Sequence, residues 1–220
     1  MIILHPDHLI SATVVADSFS CTRRAVLQDR VKATNDTNKP QVYGHILHEI
    51  FQDAMRANKW DMDWLSQTIE RIASRYLESL YEIRVTVTEA LEYLKSKMPE
   101  LQAWAEVFVN AHPRVSIAHP DGMKRISNAG QPDAVVKDKN GTQALMSINK
   151  LLDVEEHVWS PMFGLKGNVD ATVQVVMKDG REEKILTVPL EIKTGRNNSN
   201  SSHNAQTALY TLLLSDRYGQ

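Results

Sequence analysis

The fold is decided by two stretches, Gly164-Leu165-Lys166-Gly167-Asn168-Val169-Asp170 and Val188-Pro189-Leu190-Glu191-Ile192-Lys193-Thr194-Gly195. Between them lies Lys178-Asp179-Gly180-Arg181, and an Asp-Gly pair between apolar runs is a strong signal for a β-hairpin. Asp170 and Glu191 stand at nearly equal distances from that turn. Antiparallel pairing of the two stretches therefore predicts that these two carboxylates lie close together.

Side-chain alternation sorts the residues of this predicted hairpin onto two faces, because successive side chains of a strand point to opposite sides. One face carries a polar set, which comprises Asp170, Glu191 and Lys193. The opposite face is apolar on both strands and comprises Val169, Ala171, Val173, Val175, Leu186, Val188, Leu190 and Ile192. The pattern predicts one buried side and one side on which charged groups are concentrated.

The charged side has two interpretations. Two carboxylates that share a site repel each other, and burying them is costly unless a cation neutralises them. Mg²⁺ is commonly held by one or two carboxylates with water and phosphate oxygens, and a lysine beside it can orient an attacking water. Asp170, Glu191 and Lys193 therefore fit metal-assisted phosphodiester hydrolysis. Their spacing fits an ordinary solvated hairpin face equally well.

Length and composition restrict the class of protein. A chain of 220 residues, 42% apolar and 24% charged, is typical of a soluble globular protein with a substantial core. No apolar run approaches the roughly 20 residues that span a bilayer, and the N-terminus lacks the features of a signal peptide. The single cysteine excludes an internal disulfide, and the net charge of −2 argues against a protein that coats polyanions.

Hydrophobic periodicity predicts an α+β organisation without internal repeats. Helices are expected at about 11–31, 43–58, 63–82 and 88–110, and a last helix, with Ala205, Leu209, Leu212 and Leu213 inward, follows the polar run 197–202. Pro99 should kink or divide the fourth helix. Strand character dominates 144–192, and 119–141 is expected to be a surface insertion because it is rich in Gly, Asn, Asp and Lys. The expectation is one domain, residues 1–220, with helices packed on a sheet.

Several other polar residues are candidates for the same site. His48 lies beside the apolar stripe of the second helix, where a histidine packs or faces solvent more often than it ligates a metal. Gln206 and Tyr210 are four residues apart and share one helix face, either as phosphate- or lysine-orienting groups or as a plain polar edge. Glu155 or Glu156 should face the same side as the site carboxylates, but strand parity does not choose between them.

The order of these residues resembles that of a known superfamily. Asp170, then Glu191-Ile192-Lys193, then Gln206-Thr207-Ala208-Leu209-Tyr210 is similar to the motif order of PD-(D/E)xK nucleases, and an upstream His48 is similar to their RecB-like branch. Longer runs resemble the nuclease domain of the eukaryotic replication helicase/nuclease (Dna-two) family. These runs are Cys21-Thr22-Arg23-Arg24-Ala25-Val26-Leu27, Trp159-Ser160-Pro161-Met162-Phe163-Gly164-Leu165-Lys166-Gly167, Pro189-Leu190-Glu191-Ile192-Lys193-Thr194-Gly195 and 203–218.

The resemblance implies a fold and a set of metal ligands. The fold would be a restriction-endonuclease-like core, in which helices flank a central mixed or antiparallel sheet, with an N-terminal helical region. Asp170, Glu191 and the backbone carbonyl of Ile192 would ligate Mg²⁺ or Mn²⁺, and His48 would add a nitrogen ligand. Lys193 would position the water that attacks the phosphorus.

The resemblance also implies a substrate and partners. Gln206 and Tyr210 would hold the DNA strand or orient the catalytic lysine. The family cuts single-stranded 5′ or 3′ flaps endonucleolytically in Okazaki-fragment processing and DNA end resection. Its partners are the replication protein A type of single-strand-binding protein and the helicase domain of the same chain. Its location is the nucleus and, in some organisms, also the mitochondrion.

The sequence departs from this family in two respects. Members carry a 4Fe–4S cluster held by four cysteines, and Cys21 matches the upstream one; with one cysteine the chain cannot build the cluster alone. The Gly-x-x-x-x-Gly-Lys-Ser/Thr motif of a helicase motor is absent from the sequence. The expectation is therefore an excised fragment of a longer protein. Two alternatives stay open: another RecB-like nuclease, of the CRISPR-adaptation or phage type, and a non-catalytic DNA-binding or scaffolding module.

Overall fold

The computed structural model describes residues 8–31, 37–113, 135–137, 143–179, 182–193 and 201–219. The described helices are α1 (Ala12–Asp17), α2 (Thr22–Arg30), α3 (Lys39–Ala57), α4 (Met62–Ala73), α5 (Leu77–Glu82), α6 (Val87–Phe108) and α7 (Ser201–Tyr218). The described strands are β1 (Ile10–Ser11), β2 (Val135–Lys137), β3 (Gln143–Ser160), β4 (Leu165–Asp179) and β5 (Glu182–Leu190). This content confirms the predicted α+β class. In the described part of the chain, no helix has the length and apolar character needed to cross a membrane.

The strands form a mixed sheet whose order is β1-β4-β3-β2, with β5 also paired to β4. β1 runs parallel to β4, with Ile10 opposite Leu165, and β2 runs antiparallel to β3, with Val136 opposite Ala144. Only residues 180–181, which lie outside the described residues, separate β4 from β5. Paired strands with so short a connection form an antiparallel hairpin, as the Asp-Gly signal predicts.

The chain divides into two compact units. The first comprises Met1–Asp36, Leu152–Val173 and Thr187–Gln220, and the second comprises Thr37–Leu151 and Gln174–Leu186. The insertion predicted at 119–141 belongs to the second unit, where 135–137 form β2; the rest of it lies outside the described residues.

Helices α3 to α6 build the core of the second unit. Its fully buried side chains include Ile46, Ile50, Leu65, Ile69, Ile72, Leu80, Leu94 and Met98. The side chain of Asn38 caps the start of α3 by accepting the N–H of Gln41 at 3.0 Å, and α6 begins with a capping box between Thr86 and Glu89. These local signals fix where the helices begin, and the apolar stripes fix which sides are buried.

Two helix predictions are wrong in detail. The expected helix 11–31 is two helices, because Ser18 ends α1 with a hydroxyl bond to the carbonyl of Val15 at 2.6 Å and Cys21 has an extended backbone. The expected helix 63–82 is interrupted by a 3₁₀ turn, Ser74–Tyr76. Pro99 lies inside the continuous helix α6, so it does not divide that helix, and a kink at this residue stays a prediction. Proline removes one backbone hydrogen bond, and the buried packing of this long helix outweighs that loss.

The first unit packs α1 and α7 against β3 and β4. Its buried cluster comprises Ala12, Val158, Leu165, Val169, Tyr210, Leu213 and Leu214. Gly167 allows α7 to approach β4, because a Cβ at this position would lie 2.5 Å from Cε1 of the Tyr210 ring. The predicted inner face of α7 is partly wrong: Leu212 is 36% exposed, whereas the polar Gln206 and Tyr210 are buried. The helix therefore buries polar side chains as well as apolar ones.

Candidate active site

Predicted site residues from three segments meet in the first unit. The segments are β4, the chain that follows β5, and α7. They supply, in that order, Asp170, Glu191 with Lys193, and Gln206 with Tyr210. The hairpin brings the first two segments together, and the close approach of α7 to β4 adds the third.

Glu191 is the centre of the hydrogen-bond network. Its Oε1 accepts from Nζ of Lys193 at 2.6 Å and from Nε2 of Gln206 at 2.8 Å. Nζ of Lys193 also donates to Oε1 of Gln206 at 3.2 Å. The ammonium group of Lys193 is therefore held by two acceptors that come from different parts of the chain.

Asp170 reaches the backbone beside Glu191. Its Oδ2 accepts a hydrogen bond from the N–H of Ile192 at 2.8 Å. This bond holds the run from Glu191 to Lys193 against β4, so the expected proximity of the two acidic residues is present. Asp170 is partly exposed, so water reaches this part of the cluster.

Tyr210 connects the network to α1. Nε2 of Gln206 donates to the Tyr210 hydroxyl at 3.0 Å, and that hydroxyl lies 3.5 Å from Oγ1 of Thr13. Thr13 was not among the predicted residues. The sequence around Thr13 does not indicate that this residue belongs to the site. Only the packing of α1 on α7 brings its hydroxyl to Tyr210.

Burial raises the pKa of Glu191 above its ordinary value, because a negative charge is costly away from water. The hydrogen bond from Lys193 lowers the pKa, and the negative charge of Asp170 raises it. The Glu191 side chain is 9% exposed and that of Lys193 is 37% exposed. Burial also raises the pKa of Tyr210, so its phenol stays neutral at physiological pH.

The oxygen atoms of Asp170 and Glu191 fit a divalent cation. Oε2 of Glu191 is buried and has no hydrogen-bond partner among the described residues. A buried carboxylate oxygen without a partner is unfavourable, and a hard cation with a preference for oxygen ligands would remove that cost. Nowhere in the described ranges do three or more His, Cys, Asp or Glu side chains form a group that could hold a metal ion. The remaining ligands would therefore include backbone, water or phosphate oxygens.

Two predicted ligands lie on other segments. His48 is a half-buried residue of α3 in the second unit, and its role as a nitrogen ligand stays a prediction. Cys21 is an exposed thiol directly before α2. One thiolate does not satisfy a cluster that needs four, so the residues of this chain do not by themselves fit a 4Fe–4S cluster.

Glu155 and Glu156 have different surroundings. Glu155 is exposed, has a backbone φ of 51°, and accepts a hydrogen bond from the side chain of Asn168. Glu156 is buried and accepts bonds from the side chains of Arg217 at 2.8 Å, Tyr218 at 3.0 Å and Thr172. A role for either glutamate in the reaction stays a prediction.

Sequence reasoning missed the residues that anchor the far end of α7. Arg217 follows Tyr210 by about two helical turns, so it falls on nearly the same side of the helix, and Tyr218 is the next residue along the chain. That periodicity is a usable signal for which α7 residues reach the sheet. It does not identify Glu156 as their partner, because the partner lies on β3.

A model of the family described as DNA replication factor Dna2 matches residues 1–175. The chain is 38% identical over 220 residues to the DNA replication ATP-dependent helicase/nuclease dna2 of Schizosaccharomyces pombe. The matched region covers 100% of this chain and 14% of that protein. It is 33% identical over 220 residues to the corresponding DNA2 protein of Homo sapiens, covering 98% of this chain and 20% of that protein.

A plant relative shows the same relationship. The helicase/nuclease JHS1 of Arabidopsis thaliana is 31% identical over 223 residues, covering 99% of this chain and 15% of that protein. The chain therefore spans a fifth or less of the length of these relatives, although almost all of it is matched. On the family match and these identities, the chain belongs to the Dna2 family of DNA replication factors.

Proposed function

We propose that this chain is the nuclease region of a DNA replication helicase/nuclease and that it hydrolyses phosphodiester bonds of single-stranded DNA with Mg²⁺ or Mn²⁺. One observation carries the proposal: the Glu191 side chain, which is 9% exposed, is held by Lys193 and Gln206 through one oxygen only, beside Asp170. The other oxygen is available to a cation. Membership of the Dna2 family, whose matched relatives are named helicase/nuclease, supports the same activity.

In this proposal Asp170, Glu191 and the carbonyl of Ile192 would hold the cation, with water and phosphate oxygens as the remaining ligands. When bound, a divalent cation supplies neutralisation of phosphate charge and a lower pKa for water. Lys193 orients the attacking water, since its ammonium group has a fixed position between two acceptors.

The residues of α7 act on Lys193 rather than on the phosphate in this proposal. Gln206 accepts a hydrogen bond from the ammonium group and donates to Glu191 and to Tyr210. It therefore fixes the distance between the lysine and the carboxylate. The neutral phenol of Tyr210 fixes Gln206 in turn.

The proposed substrate is a single-stranded 5′ or 3′ flap that is cut endonucleolytically during Okazaki-fragment processing and DNA end resection, in the nucleus and, in some organisms, in mitochondria. The proposed partners are a replication protein A type of single-strand-binding protein and a helicase region of the longer protein. Support for these points comes from membership of the family.

We further propose that Cys21 supplies one of four thiolates to a 4Fe–4S cluster in the longer protein. Its exposed position before α2 leaves the thiol accessible to other cysteines. Iron content measured in the longer protein with Cys21→Ser tests this point. Full retention of iron would show that Cys21 is not a ligand.

The test of the nuclease proposal is a cleavage assay on end-labelled single-stranded DNA. We expect cleavage with Mg²⁺ or Mn²⁺, none with EDTA, and none in Glu191→Gln or Lys193→Ala. Asp216→Ala is the matched control, because Asp216 is an exposed carboxylate on α7. Binding of DNA without cleavage under all metal conditions would instead support a non-catalytic module.

A further inference from the structure

We propose that a groove on the first unit, lined by His157, Trp159, Lys166 and Asn168, binds a nucleotide of single-stranded DNA, with the base stacked on Trp159 and a phosphate on Lys166. This inference rests on the proposed function and extends it from the site of cleavage to a separate contact with the substrate strand. We refer to these four residues as the Trp159 groove.

Strand alternation creates the Trp159 groove. On β3, Val158 is buried while His157 and Trp159 on either side of it are exposed; on β4, Leu165 is buried while Lys166 is exposed. The buried residues pack against α1 and α7. Their exposed neighbours therefore line the opposite side of the sheet, where a cavity of about 410 Å³ is also bordered by Ser11 of β1.

Trp159 is the residue that gives the groove its chemical character. Its side chain is 59% exposed, although a large aromatic ring is normally buried. Aromatic rings on which bases stack are the common device of proteins that bind single strands, because every base has a π-face. A solvated indole inside a groove provides such a surface.

Lys166 supplies the charge that the phosphate backbone needs. It is exposed, and its side chain has no ion pair or hydrogen bond with any residue that the structure describes. Asn168 donates to the carboxylate of Glu155, so this acidic neighbour is partly engaged. An unpaired lysine beside a solvated tryptophan fits a nucleotide better than it fits an apolar partner.

The position of the groove agrees with a path toward the candidate active site. Lys166, Asn168 and Asp170 are alternate residues of β4, so strand alternation places them on one side. At about 3.3 Å per residue, Lys166 and Asp170 are about 13 Å apart along the strand. A DNA strand held in the groove can therefore continue along β4 to Asp170.

The experiment measures binding of the 220-residue chain to fluorescently labelled oligothymidine by anisotropy in EDTA, where no metal-dependent cleavage occurs. We expect Trp159→Ala to weaken binding by about 5- to 150-fold, the range for loss of one stacked base, and Trp159→Phe to restore most of it. Lys166→Ala should reduce the slope of log affinity against log salt by about 0.7. Tyr81→Ala and Lys59→Ala, at exposed positions of the second unit, are the matched controls and should bind as the wild type does.

A second probe separates stacking from charge. On an abasic oligonucleotide of the same length, the defect of Trp159→Ala should disappear while the defect of Lys166→Ala persists. The proposal is overturned if the wild type does not bind oligothymidine, if both variants bind like the controls, or if Trp159→Ala is equally defective on the abasic strand. Unaltered DNA binding by Trp159→Ala would remove the exposed tryptophan from the contact with DNA. Weakened binding in a chain that never cleaves DNA would support the groove and reject the proposed nuclease activity, so the two proposals fail separately.

Discussion

The ammonium nitrogen of Lys193 lies 2.6 Å from Oε1 of Glu191, the residue two positions earlier in the chain. The same oxygen accepts from Gln206, whereas Oε2 is buried without a partner among the described residues. The carboxylate is therefore neutralised on one side only. A cation beside Oε2 would neutralise the other side of the carboxylate. The expected behaviour of the variants depends on this difference between the two oxygens of Glu191.

Asp170→Ala should abolish metal-dependent cleavage and leave the fold intact. The change removes the acceptor of the Ile192 N–H, at a cost of about 1 kcal/mol. It also removes the charge that repels Glu191, so the free energy of unfolding should change by less than about 1 kcal/mol. Cleavage of labelled single-stranded DNA and circular dichroism check the two effects. Undiminished cleavage would remove Asp170 from the site, and loss of the folded signal would make it a structural residue.

Glu191 should make the stability of the metal-free chain fall as the pH rises. Burial raises its folded-state pKa above the ordinary 4.5, so its contribution is fully present below that pH and is lost as the pH rises through the folded pKa. Urea unfolding between pH 4 and pH 8, at about two-unit steps, should show this loss in the wild type but not in Glu191→Gln. Mg²⁺ should restore stability to the wild type at the higher pH only. If the free energy of unfolding depends on pH identically in the wild type and in Glu191→Gln, Glu191 is not the group responsible for the loss.

Gly167→Ala should disturb the site through α7. The added methyl group would lie 2.5 Å from the Tyr210 ring, so we expect a loss of about 1–3 kcal/mol and weaker cleavage as Gln206 moves. Gly164→Ala is the control, because Gly164 has a φ of 65° and open space around its Cα. It should lose about 1–2 kcal/mol from backbone strain while metal-saturated cleavage is retained. Equal loss of cleavage in both variants would show a general effect of instability.

Arg217→Met should destabilise the chain by about 1.5–3 kcal/mol, because it leaves the buried Glu156 without its charged partner. Chemical unfolding provides the measurement. Arg75→Met, which breaks a more exposed pair with Glu49 at 2.6 Å, should cost about 1 kcal/mol or less. Adding Glu156→Gln to Arg217→Met should recover part of the loss. No recovery in the double variant would mean that Arg217 acts through its packing rather than its charge.

Much of the hairpin could be predicted because its signals are local. The Asp-Gly pair marks the connection of β4 to β5, and Val169, Ala171, Val173 and Val175 are all buried as alternation requires. The second strand follows the pattern less closely. Leu186 is 37% exposed, because burial of a strand residue depends on what covers it and not on its own hydrophobicity.

The inner face of α7 shows where local reasoning fails. Apolar content favours Leu212, yet the helix buries Gln206 and Tyr210. Both polar groups are compatible with burial, because Gln206 hydrogen-bonds Tyr210 and Glu191, and the Tyr210 hydroxyl also lies 3.5 Å from Oγ1 of Thr13. Glu191 and Thr13 lie on other segments, so the α7 sequence alone does not reveal that these partners are present.

The sequence by itself determined the strand–turn–strand order, the alternation that separates Asp170 from its apolar neighbours, and the helix starts marked by caps such as Asn38. These features depend on residues only a few positions apart. Tertiary structure alone decided that one oxygen of Glu191 is paired and the other is not, and that Arg217 neutralises Glu156. The physical reason is that burial and charge pairing are properties of groups brought together from distant parts of the chain, and here the packing of α7 on β4 at Gly167 brings them together.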